Sequence, residues 1–211
     1  MVYRRTAAVC ARQERTRDAI LRAARAVVAA GGLTGTSMSA VAARAGVAVG
    51  TVYRYFPSKA ALLTEVVRDT CRHELDQVAG IAAGPGPAAE RLHAAVTTFA
   101  RRALRSGRVA FAMIAEPTVA EAETLRLAIR AELAALLATI VAAGVATGEL
   151  DPQPAPITGT ALVGAVSEIL VAQLSPPGDE PVDEEAVVEE IGRVACRCAG
   201  VRVPARRAVP A

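Results

Sequence analysis

Apolar positions along this 211-residue chain recur at helical spacing, in blocks separated by Gly, Pro and Ser. In the first block Ile20, Ala24, Val27 and Val28 form a stripe, and Arg12, Arg15, Arg22 and Arg25 lie off it. That predicts a helix over 13–30, stopped by Gly31-Gly32. Thr34-Gly35-Thr36-Ser37 reads as a loop ending in capping residues. Met38, Val41, Ala42 and Ala45 predict a short second helix, closed by Gly46. Val47 to Tyr55 predicts a third, because Pro57 disfavours helical backbone at Phe56. Ser58 caps a fourth over 59–78, with Leu62, Leu63, Val66 and Val67 inside. Further helices are expected over 88–105, 107–115, 118–146, 155–174 and 181–199, divided by Gly- and Pro-containing breaks. No segment reads as a strand, so the expected fold is all-α with about nine helices.

Composition supports this. Alanine supplies 48 residues and aromatics only 3%, which favours helices over strands. Net charge sharpens the picture. Residues 1–72 carry 12 basic and 4 acidic side chains, against 12 and 17 in the remainder. A basic front third suggests that one end meets a polyanion. The four cysteines, Cys10, Cys71, Cys196 and Cys198, make no disulfide framework. Residues 155–174 are apolar enough to raise the question of a membrane span, but Pro156, Glu168, Gln173 and two glycines argue against it. The expectation is a soluble, cytoplasmic protein without a membrane segment.

Residues 37–56 have a helix-turn-helix layout. Ala42 is small where the helices cross, Gly46 permits the turn, and Val47 and Val52 fill the angle between them. Val49, Gly50, Thr51, Tyr53, Arg54 and Tyr55 point outward from the second helix, which has the size to enter a DNA major groove. Ile20-Leu21-Arg-Ala-Ala24, Thr36-Ser37-Met-Ser-Ala-Val-Ala42, Ala45-Gly46-Val47, Gly50-Thr51-Val52-Tyr53-Arg-Tyr55-Phe56-Pro57-Ser58-Lys59 and Leu62-Leu63 resemble the N-terminal domain of TetR/AcrR transcriptional regulators. The resemblance covers about residues 13–67. It implies a homodimeric helical repressor that binds a palindromic double-stranded DNA operator and releases it when a small-molecule effector enters the C-terminal domain.

Four segments are therefore expected: a basic tail over 1–12, a DNA-binding domain over 13–72, an effector-binding and dimerisation helical bundle over 73–200, and a disordered tail over 201–211. Residue by residue, the resemblance places Thr36 and Ser37 at phosphates. It places Thr51 and Tyr53 at phosphates or base edges, Lys59 at a phosphate, and Gly50 where the backbone approaches DNA. The chain departs from the family pattern at Ala48, where serine often caps the recognition helix, and at Tyr55, where histidine is frequent. Arg54 can pair with guanine and Val49 can touch a thymine methyl.

The C-terminal helices offer Phe99, Phe111, Met113, Ile129 and Leu133 as pocket lining, with His93, Glu116 and Glu168 as polar groups to orient a ligand. The helix over 155–174 carries two apolar stripes, so Leu162, Ala165, Val166 and Ile169 are candidates for a dimer interface. No nucleotide-binding glycine loop, metal-ligand set or catalytic constellation is present in the sequence, and no enzyme activity, metal or cofactor is expected. Two other classes stay open: a helical carrier or small enzyme without DNA binding, and a constitutive regulator without effector.

Overall fold

A computed structural model describes residues 7–175 and 183–201. Every regular element among them is an α-helix: α1 (Ala7–Gly31), α2 (Met38–Ala45), α3 (Val49–Tyr55), α4 (Lys59–Ala82), α5 (Ala88–Ser106), α6 (Arg108–Ile114), α7 (Ala120–Thr147), α8 (Ala155–Leu174) and α9 (Glu184–Cys198). The all-α expectation holds, with shifted ends. α1 begins at Ala7, not Gln13, so the described part of the expected basic tail is helical. Its arginines suggested a tail, but an alanine-rich run without Gly or Pro has no reason to leave the helix. α4 continues to Ala82 because Leu75, Val78 and Ala82 extend its buried stripe. The predicted start of α9 and residues 202–211 of the tail expected over 201–211 lie outside the described residues.

The chain divides into two compact units. The first contains the residues up to Cys71 together with Arg108–Arg126. α6 and the start of α7 were expected with the C-terminal domain but cluster here. α1 packs on α2 and α6, and α2 packs on α3. Ile20, Ala24, Val28, Leu33, Val41, Val52, Phe56 and Leu62 are buried.

One carboxylate joins the two chain segments of this unit. Glu116, just past α6, is buried. It accepts the Leu33 N–H at 3.0 Å, the Thr34 N–H at 3.1 Å and the Thr34 hydroxyl at 2.6 Å. Its own carbonyl accepts Arg126 Nη1 at 2.9 Å. Gly32 adopts a left-handed φ of 74°, and a Cβ there would run into the Glu116 carboxylate. Glycine at 32 thus serves both the turn and the close approach.

The second unit contains residues 72–107 and those from Leu127 onward. α5 packs against α9 and α8, and α8 against α9. Leu92, Leu162, Leu170, Val188 and Ile191 fill the core. Gly192 lets α9 approach α5: a Cβ there would sit 2.6 Å from His93 Nε2 and Thr97 Cγ2. Arg102 forks onto Glu74 at 2.7 and 2.9 Å, tying α4 to α5. By length and composition alone, α7 and α8 could cross a membrane, with mean hydropathy of 1.8 and 1.6. α8 instead buries Leu162 and Leu170 in this core.

Burial pushes the Glu116 carboxyl up, but the Thr34 hydroxyl and N–H, the Leu33 N–H and the Arg108 charge outweigh it and hold it below the usual carboxylate range. A depressed folded value stabilises the fold above the ordinary value of 4.5 and loses that effect as pH falls through the folded value. Glu116→Gln is therefore expected to cost about 1.5–3 kcal/mol at neutral pH. The gap from the parent should narrow steadily below the ordinary carboxylate value in chemical unfolding at stepped pH. A gap independent of pH would contradict this account.

Candidate nucleic-acid interface

The interface begins with local backbone chemistry. Ser37 is extended and its Oγ accepts the Ala40 N–H at 3.1 Å, which caps α2. Gly46 ends α2 at φ 67° and ψ 33°, and Val47 N–H returns to the Ala42 carbonyl at 3.1 Å. This tight turn starts α3. Ala48 supplies no side-chain cap, as the missing serine implies. α3 is held instead by Val52 and Phe56, 0% and 2% exposed. Arg17 lies over the Phe56 ring at 5.4 Å from its centroid.

With that face buried, the opposite face is displayed. Val49 is 41% and Tyr53 49% exposed, so Tyr53 is not a core residue. Gly50 and Arg54 are exposed, while Thr51 and Tyr55 are half-buried. The Arg54 guanidinium sits 5.3 Å from the Tyr55 ring centroid, a cation–π contact that restrains it. A Cβ at Gly50 would meet nothing within 4 Å, so no internal packing demands glycine there. Lys59 donates to the Thr34 carbonyl at 3.3 Å, beside the start of α2.

Thr36 needs correction. It is 1% exposed and its hydroxyl donates to the Gly32 carbonyl at 2.8 Å. It closes the end of α1 and does not offer its hydroxyl to an outside phosphate. Ser37 keeps its place on the surface.

Electrostatics single out the same segment. Residues 19–64 contain Arg22, Arg25, Arg44, Arg54 and Lys59 and no Asp or Glu. Arg25 pairs with Asp69 at 2.9 Å, and Arg17 and Arg68 both pair with Glu65. Arg22, Arg44, Arg54 and Lys59 have no carboxylate partner among the described residues. Positive charge without local compensation is what a polyanion surface recruits.

A family model described as bacterial regulatory proteins, tetR family, matches residues 20–66. A second, for a tetracyclin repressor-like C-terminal domain, matches residues 85–171. Together the matches span more than half of the chain. The chain belongs to the TetR family. The transcriptional repressor KstR of Mycobacterium tuberculosis is 37% identical over 113 residues, covering 53% of this chain and 46% of that protein. The aligned chain thus spans about half the length of that relative. A TetR/AcrR-family regulator from Thermobifida fusca is 28% identical, with TM-score 0.70, covering 89% of this chain and 98% of that one. The regulator FadR of Bacillus subtilis, solved with stearoyl-CoA, has TM-score 0.72 at 20% identity and covers 84% and 96%. This last likeness speaks for the TetR fold alone.

The candidate pocket residues are scattered by the structure. An apolar cavity of about 20 Å³ in the second unit is lined by Phe99 and Leu133 together with Val78, Leu137, Val163, Val166 and Ser167. Phe111, Met113 and Glu116 belong to the first unit. Glu116 is spent on the α1–α2 loop and cannot orient a ligand from there. Glu168 is exposed, Ile129 is half-buried outside the lining, and His93 is half-buried with Nε2 3.4 Å from Glu189. Of the dimer candidates, Leu162 and Val166 are 0% and 5% exposed within a single chain and are core residues. Ala165 and Ile169 remain half-exposed. Two neighbours, α5 and α9, bury a wider arc of α8 than one stripe. Sequence reasoning missed Val163 as cavity lining because periodicity gave this helix two apolar stripes and did not tell which of them faces the core.

In DNA titrations, Lys59→Ala should weaken binding on every sequence. It should also flatten the log–log salt dependence by about 0.9 for each lysine lost. Arg54→Ala should cost about 1–3 kcal/mol at one base-pair position and relax preference there. An equal loss on all sequences would make Arg54 a phosphate contact.

Proposed function

We propose that this chain is a DNA-binding transcriptional repressor that works as a cytoplasmic homodimer on a palindromic operator and is released by a small-molecule effector. The observation that carries the reading is α3: a short helix with one face locked in the core and Val49, Gly50, Tyr53 and Arg54 displayed, inside a segment free of carboxylates. Ser37, Thr51, Tyr55 and Lys59 complete the surface that would meet DNA. The similarity to KstR, a transcriptional repressor, supports the same reading. A carrier or enzyme has no use for an exposed, acid-free helix-turn-helix.

Twofold assembly is the second element. α8 leaves Ile157, Ala161, Glu168 and Ala172 exposed and Gly164 and Ala165 half-exposed on one side, and Ile157 is 68% exposed. Small residues on that side let a second copy of α8 approach closely. Effector control is the third. The cavity around Phe99 and Leu133 is apolar and far below the roughly 300–1,000 Å³ of ordinary ligand sites. An effector would have to be apolar and would have to spread α5, α7 and α8 apart. It would then shift DNA affinity only by its differential binding to the two states. If that cavity never opens, regulation is constitutive.

Two variants one residue apart test the assembly. Ala165→Glu should give a folded, helical monomer by light scattering with lost operator affinity, because half a site is held by one domain. Val166→Glu should instead lower thermal stability by several degrees or prevent folding, because it buries a charge. A dimeric Ala165→Glu protein that binds DNA normally would remove α8 from the interface.

A further inference from the structure

The buried carboxylate of Glu116 is an unusual investment. Its side chain reaches from the end of α6 to the loop between α1 and α2, across more than eighty residues of sequence. It accepts three hydrogen bonds from two consecutive residues, Leu33 and Thr34. Removing glycine at 32 would block it. Its backbone is fixed in turn, since Arg126 from α7 donates to its carbonyl and also pairs with Glu123. The residue it clamps is not idle. The carbonyl of Thr34 accepts Lys59 Nζ at 3.3 Å. Two residues further on, Thr36 bonds back to Gly32, and Ser37 caps α2.

The geometry points to Glu116 as a positioning residue for DNA binding: from α6 it fixes the Thr34 carbonyl, and through that carbonyl it holds the Lys59 ammonium and the start of α2 in register for phosphate contact. This rests on the reading of the α2–α3 surface as the DNA interface. A lysine head has three rotatable donors on a flexible stem and no geometry of its own. A fixed carbonyl beside it supplies that geometry without neutralising its charge, which a carboxylate partner would do. Glu116 touches the loop from within, so its own negative charge is quenched by the loop N–H groups and is kept off the DNA-facing surface.

The test is a double-mutant cycle on the full chain, read by fluorescence anisotropy with duplex DNA from immediately upstream of its own coding sequence, at several salt concentrations. Glu116→Gln should weaken binding about three- to tenfold and flatten the salt dependence by the amount that Lys59→Ala does, about 0.9 per lysine. The double variant should lose little more than either single one. A purely structural role reduces the folded fraction and leaves the slope untouched, so weaker binding with an unchanged slope overturns the proposal. Additive losses in the double variant overturn it as well. Should Glu116→Gln fail to fold, Thr34→Val removes only the hydroxyl donor and should move affinity and slope in the same direction by less. No change in Thr34→Val then overturns it. Binding by the parent with no difference in any variant defeats this inference alone. A parent that binds no DNA defeats the functional reading and this inference with it.

Discussion

A helix of seven residues does not persist in water by itself, since nucleation costs more than so few backbone bonds return. α3 is such a helix, and everything proposed for this chain depends on its being held. Burial of Val52 at its centre and Phe56 at its end does this, at about 1.5–3 kcal/mol for each side chain. The turn at Gly46 fixes its direction relative to α2. Because one side is fully used in packing, the rest is free to be chemical surface. Val49, Gly50, Tyr53 and Arg54 stand exposed there.

Charge is distributed on the same logic. Glu65 and Asp69 on α4 take up Arg17 and Arg25 of α1 and Arg68 of α4 itself. The cations of α2, α3 and the start of α4 are left over. Surface pairs of this kind contribute little stability. Their larger effect is to use up the nearby carboxylates and leave Arg22, Arg44, Arg54 and Lys59 uncompensated. The acidic group closest in role to these cations, Glu116, is buried and satisfied by the backbone N–H groups of the loop.

The helix-turn-helix was legible in the sequence because its signals are local and steric. Ser37 as a cap, Gly46 at a left-handed turn and Pro57 after Phe56 each act within a few residues, and each appears where expected. What failed was decided at a distance. Thr36 and Ser37 have the same capping chemistry, and only the position of the Gly32 carbonyl decides that Thr36 turns inward. Glu116 was expected to orient a ligand, and the partners that claim it instead lie far upstream in the chain. On α8, the buried set of Leu162, Val163, Val166 and Leu170 takes members from both apolar stripes. Periodicity shows that a helix has apolar faces, but the number of its neighbours sets how wide an arc they cover.

The central claim is that two copies of α3 enter successive major grooves of one duplex. Hydroxyl-radical footprinting on the DNA upstream of the coding sequence tests it most directly. The account predicts two protected patches on the same side of the helix, with centres about 34–36 Å apart, arranged about a twofold axis. Protection of one isolated patch, protection without twofold symmetry, or no protection at protein concentrations that saturate the parent in titration would contradict it.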